Sequence, residues 1–266
     1  MTQIQLINVF LQGANLTGAI LIGMDFSGKD LSGVNFTQAD LTRTDLSGSK
    51  MFGVRLSEAT VINVILNNVD LRSVDINGLK FIGAHLECCD LSGKKLVSVN
   101  LTDANLAQAK LESASFIGCT LNRVNLESVN LTTVDLAGLD LTGAKLNGSL
   151  LNGTASKRKS LLHTNLQKAV LVSADLTYTD LTGANLIGAN LEKAKCQHAM
   201  MTSADMRNAN FREARFFKTG IRGSQVDGTD FEEVDLGKAY HGLEKAIQKP
   251  KNLRYKESMK DGKRRS

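Results

Sequence analysis

Proline occurs once in the 266 residues, tryptophan never, and aromatic residues make up only 5%. A mixed globular core built on large rings is therefore not expected. Only four cysteines are present (Cys88, Cys89, Cys119 and Cys196), and their spacing matches neither a zinc site nor a disulfide framework. That usage fits a reducing compartment. No basic stretch followed by a clean apolar run opens the chain, and no uninterrupted apolar stretch reaches membrane-spanning length. The reading is a cytoplasmic protein, with delivery to a host cell without a cleaved signal peptide left open. The four histidines (His85, His163, His198, His241) form no HExxH, HxxxH or Cys–His pattern, and no GxxxxGK[ST] loop occurs. The expectation is a protein that is not an enzyme, with no catalytic residues, cofactor or metal.

Charge is also missing where the pI suggests it. The chain carries +5, yet residues 241–266 alone hold nine Lys/Arg against three Asp/Glu. The rest is close to neutral, so the basic character belongs to the end of the chain.

A period of five is present instead. In 176-LTYTDLTGANLIGANLEKAK-195, leucine returns at 176, 181, 186 and 191. The register runs from Leu6 to Leu236 without a phase shift, giving 47 positions that are all Leu, Ile, Val, Met or Phe except Ser156 and Cys196. Two places earlier, 40 of the 47 residues are Ala, Val, Ser, Thr or Cys, which implies a second inward position with little room. One place earlier, 24 are Asp or Asn, whose side chains bond nearby backbone in turns. Two places after the apolar residue, 19 are Gly, which supplies positive φ at a corner. Neither a helix nor a plain strand has this period. A fixed short repeat indicates a solenoid of stacked coils.

The pattern A(D/N)Lxx, as in 184-ANLIGANLEKA-194, 104-ANLAQAKLESA-114 and 204-ADMRNANFREA-214, resembles the pentapeptide repeat family. It covers about 235 of the 266 residues. The resemblance implies an all-β fold: a right-handed quadrilateral parallel β-helix with one repeat per side and 20 residues per coil. The 47 repeats then make about 12 coils, roughly 55 Å long at about 4.8 Å per coil. The expected organisation is a β-helix over 4–238, a short capping helix over 239–249 in which Tyr240, Leu243 and Ile247 have helical spacing, and a basic disordered tail over 250–266.

Departures from the repeat are where function is expected. In 154-TASKRKS-160, Ser156 replaces the core residue and Lys159 the small inward one. This segment reads as a solvated loop; a basic contact through Lys157, Arg158 and Lys159 is the functional alternative. If a full five residues loop out, the phase survives and every later face turns by one side. By simple 20-residue counting, Ser156 and Cys196 share a face. Lys29 and Lys94 also replace small inward residues, in matching contexts 65 apart; both read as snorkelling from a locally opened corner.

Outward apolar residues are the second departure. Ile62 and Ile82 are vertical neighbours, and with Phe52 and Ile65 they form a candidate partner surface. Scattered exposed apolars are the plainer reading. In the tail, Lys263, Arg264 and Arg265 are candidate basic contacts to nucleic acid or an anionic membrane. A terminal coil is a candidate homodimer contact.

Two functions follow. The first is a non-enzymatic scaffold or adaptor, or a bacterial effector, that binds protein partners through the faces of a rigid rod. The alternative comes from the resemblance: a DNA-mimicking, topoisomerase-binding protein of the quinolone-resistance type. The near-neutral body departs from the acidic surface that role implies.

Overall fold

A computed structural model of the chain describes residues 11–137, 139–152 and 159–234. The expected capping helix and basic tail lie outside these residues, as does all of the expected loop except its last two positions. Two compact units are present, Met1–Asp135 and Leu136–Ser266.

The repeat becomes structure through its main-chain hydrogen bonds. In the first unit the Ala14 amide donates to the Leu11 carbonyl (2.9 Å), closing a four-residue turn, and Gly13, third in that turn, has φ +67°. Positive φ at this position is the mark of a type II turn. The remaining amides reach the neighbouring coils. Gly13 N–H donates to Ser32 (2.9 Å), Leu16 N–H to Asn35 (2.8 Å) and Asn35 N–H to Ala14 (2.9 Å). Each step spans about one coil, and the bridges fall at intervals of 20, as in Asn15↔Asn35 and Asn35↔Arg55. With a turn every five residues, four sides close each coil.

One amide per repeat is left over, that of the residue following the apolar one. The Asp or Asn two places before it accepts this N–H. Ser27 donates to Asp25 Oδ1 (2.8 Å), Thr42 to Asp40 (3.0 Å) and Ile187 to Asn185 (3.1 Å). Where that acceptor is missing, some of these amides find another. His85 and Lys95 stand two places before Glu87 and Val97, and these two amides donate instead to Asn67 Oδ1 (3.1 Å) and Asn77 Oδ1 (2.9 Å) in the coil above. The frequent Asp and Asn thus complete the backbone accounting that burial demands.

The interior is narrow. Leu31, Leu71, Leu111, Leu171, Leu186 and Leu191 are fully buried, as are Ala39, Ala84, Ala169 and Ala204. Each large side chain contributes roughly 1.5–3 kcal/mol by burial. Threonine hydroxyls at the small position donate to a carbonyl in the preceding coil; Thr44 bonds Leu21, 23 residues back (2.8 Å).

Corners depend on glycine less than the sequence pattern suggests. Gln38, Arg43, Tyr178 and His198 all have φ between +55° and +59°. The left-handed region costs a non-glycine residue about 1–2 kcal/mol. The same amide makes an inter-coil bond, as from Tyr178 to Gln197 (3.0 Å), which offsets that cost. At some glycine corners a side chain of the neighbouring coil lies across the open space and would have to move if a Cβ were added. A Cβ on Gly83 would stand 2.2 Å from Asn63 Oδ1, and one on Gly183 2.5 Å from His163 Nδ1.

Two departures from the regular ladder are marked among the described residues. In the first unit, Lys94 is half-buried and its ammonium donates to the carbonyls of Val74 and Arg72. Val74 O is the acceptor that the register assigns to the Lys95 amide. Asp75 accordingly joins no bridge, and β1 (Lys95–Val97) pairs only downward with β2 (Ser115–Ile117). Lys29, in the matching context, is exposed.

In the second unit the spacing itself changes. Asp140, Lys145 and Leu150 bridge Asn165, Val170 and Asp175, 25 residues on, whereas β3 (Lys159–Ser160) pairs with β4 (Thr179–Asp180) at 20. Side-chain bonds report the same shift, since Thr164 reaches Leu136 and Thr179 reaches Leu151, each 28 residues back. Five residues between Asn152 and Lys159 are thus extra to the coil. Lys159 and Ser160, expected within the loop, are strand residues. Cys196 lies under Leu176, which lies under Leu151; Ser156, expected on the face of Cys196, is outside the described residues.

Deleting residues 154–158 should therefore leave a foldable chain, with Leu151-Asn152-Gly153-Lys159-Ser160 as an ordinary side. Loop length costs entropy only slowly, so the unfolding free energy should change by less than about 1 kcal/mol. Denaturant titration followed by circular dichroism measures this; loss of cooperative unfolding contradicts the register.

The Asp–turn bonds also predict an acid limit. The Thr42 hydroxyl and amide hold the Asp40 carboxyl below its ordinary value, and Ser27 does the same for Asp25. A lowered folded pKa stabilises above the unfolded value of about 3.9, and that contribution is lost as pH falls through the folded value. Thermal midpoints should drop below about pH 4. Asp40→Asn should blunt the drop, because an asparagine oxygen accepts the same bond at any pH.

Candidate interaction faces

Outward side chains occupy three positions of each repeat, and residues 20 apart stack in columns. The structure places Ile22, Ile62 and Ile82 in one column of the first unit, beside Ile65. Ile22 is 44% exposed, while Ile62, Ile65 and Ile82 are half-buried among their neighbours. Phe52 is 76% exposed but lies on another side, in the column of Ser32 and Arg72. Ile62 and Ile82 adjoin in successive coils, Ile22 is separated from Ile62 by Thr42, and Phe52 stands on another side.

The basic candidates divide. Lys157, Arg158, Lys263, Arg264 and Arg265 lie outside the described residues. Lys159 is only 7% exposed, because it fills the inward position over Thr179. A basic contact through Lys159 is thus corrected to an interior residue of β3.

A cluster that the sequence reading passed over lies in the second unit. Tyr178 and His198 occupy equivalent corners one coil apart, and their rings stack at 4.5 Å with an interplanar angle of 9°. Phe217 follows in the next coil, edge-on to His198 at 5.5 Å and 82°. Lys218 Nζ sits 5.6 Å from the Phe217 ring centre, a cation–π contact. Phe217 is 43% exposed. The detectable signal was the 20-residue interval between Tyr178, His198 and Lys218, with Phe217 adjoining the last.

The cysteines differ in accessibility. Cys89 and Cys196 are fully buried, Cys119 is half-buried and Cys88 is exposed at a corner. Cys89 donates to the Leu66 carbonyl (2.9 Å), and desolvation pushes its pKa up to about 12. Burial raises the Cys196 thiol in the same direction. Among the described residues no group of His, Cys, Asp and Glu could hold a metal ion, and no helix is long and apolar enough to cross a membrane.

The turn every five residues, the 20-residue coil and the paired inward positions define a pentapeptide-repeat solenoid. Sequence comparison agrees. The model of pentapeptide repeats matches residues 11–48, 49–87, 100–138, 114–153, 160–192, 179–216 and 194–232. The chain belongs to the pentapeptide repeat family and folds as a right-handed β-helix. No curated protein matches it. Among solved structures it is similar to HetL, a pentapeptide repeat protein involved in heterocyst differentiation regulation in the cyanobacterium Nostoc sp. strain PCC 7120. Identity is 25%, over 92% of this chain and 96% of that one, with a TM-score of 0.36. It is also similar to the plasmid-mediated fluoroquinolone resistance protein QnrB1 (15% identity, 74% and 91% covered, TM-score 0.30). A pentapeptide repeat protein of the cyanobacterium Cyanothece 51142 matches at 26% identity (56% and 89% covered, TM-score 0.21).

Thiol labelling should follow burial. In native protein, Cys88 should react with an aromatic disulfide reagent first and Cys119 more slowly. Cys89 and Cys196 should react only in denaturant. Mass mapping of labelled peptides checks the order, and early labelling of Cys89 or Cys196 contradicts the packing.

Proposed function

We propose that the chain is a non-enzymatic interaction scaffold that binds protein partners through its outward faces. The observation that carries this reading is the division of labour within each repeat. Inward positions are held to a few residue types, while outward positions vary from Ile62 to Arg123 to Tyr178 without disturbing the coil. No constellation of catalytic groups competes with this reading among the described residues. The Ile62 and Ile82 pair, with Ile65 beside it, is the first surface to test, because adjoining apolar side chains that stay partly exposed mark contact sites. The free cysteines support a reducing, cytoplasmic setting.

A photo-crosslinking residue placed at position 62 in the full chain tests the reading in living cells. A discrete crosslinked protein is expected, and Ile82→Asp should abolish it while leaving the melting curve unchanged. Crosslinking that is absent, or indifferent to Ile82→Asp, removes this face from the proposal.

A further inference from the structure

One face of the second unit differs from its neighbours in both charge and chemistry. Its outward residues are Asp175, Thr177 and Tyr178 in one coil, then Lys195, Gln197 and His198, then Arg215, Phe217 and Lys218. Three cations stand against one acid. Lys195 uses that acid, with Nζ 3.6 Å from the Asp175 carboxylate. Arg215 and Lys218 form no ion pair among the described residues. Elsewhere in the unit acids balance or exceed the cations. Lys193 is shared by Glu192 and Glu213, Arg207 is held by Asp205, and Arg212 by Glu232. The same face carries the Tyr178, His198 and Phe217 rings.

We propose that this face binds single-stranded nucleic acid along the coil axis. Lys195 and Arg215 bridge each other in successive coils, so their charges form a row with a step of about 4.8 Å. A linear, flexible polyanion can follow such a row. The rings lie in the parallel column two to three positions on; Tyr178 and His198 stack on each other, and the exposed Phe217 ring is the one an unstacked base would meet. Cationic tracks beside aromatic side chains are the general chemistry of single-strand binding. A duplex hides its base faces and cannot use the rings. On one adjoining face Glu192, Glu213 and Glu232 repel a polyanion and bound the track on that side. The proposal stands independently of the protein partner assigned to the isoleucine cluster, since that lies in the other unit.

The test is fluorescence anisotropy of a labelled dT20 strand titrated with the full chain at several salt concentrations. Wild-type protein should bind dT20 more tightly than a labelled 20-base-pair duplex. Each cation removed should reduce the log–log salt slope by about 0.7, so Arg215→Ala with Lys218→Ala should reduce it by about 1.4. Phe217→Ala should weaken binding about fivefold or more at constant slope. All three residues are exposed, and unchanged melting curves establish that the variants fold. Arg222→Ala, one face away, and Ile62→Asp should bind as wild type. Three results overturn the proposal. The strand fails to bind; or the Phe217 and Arg215/Lys218 variants bind with wild-type affinity and slope, which places the strand elsewhere on the chain; or poly-glutamate of equal length binds more tightly than dT20 with the same variant dependence, which assigns the face to an acidic protein.

Discussion

Everything in this molecule depends on the hydrogen-bond ladder between successive coils. Each repeat sends three amides to neighbouring coils and closes its own turn with a fourth. Because coils stack at the strand spacing, side chains cannot enter between them, and the interior has room for one large and one small residue per repeat. The leucine and alanine periodicity is a consequence of that geometry. So is the tolerance of left-handed corners such as Tyr178 and His198: the ladder holds the backbone there whatever the side chain.

The ladder also explains how the chain absorbs its irregularities. Lys94 places a charge at an inward position and satisfies it with the Val74 and Arg72 carbonyls, and Asp75 beside it joins no bridge. Desolvation lowers the Lys94 pKa, as expected for an ammonium drawn away from water. Between Asn152 and Lys159 the adjustment is a whole repeat of extra chain. Only a multiple of five preserves the inward pattern, and that is what the spacing of 25 records.

Surface chemistry is where members of such a family can diverge, since few outward residues besides the Asp or Asn turn acceptors carry structural duty; Asn67 and Asn77 are exceptions. Two faces stand out on that basis. One carries the column of isoleucines in the first unit; the other carries the rings and cations in the second. Their chemistry differs enough that one repeat pattern can present an apolar contact in one unit and a polyanion track in the other without altering the interior.

The sequence alone determined the repeat, its phase and the identity of nearly every buried residue, because a five-residue period leaves a single inward pattern. It also located the break near residue 156, through Ser156 and Lys159. What it left open was which residues meet across coils. Only the tertiary structure decided that Cys196 follows Leu176 and Leu151, that Lys159 is interior, and that Phe52 is apart from Ile62. The stacking of Tyr178 on His198 was likewise decided there. The reason is physical: the local pattern repeats identically on all four sides. Lateral neighbours are therefore set by the number of residues in each coil, and a single coil with five more residues reassigns every side after it.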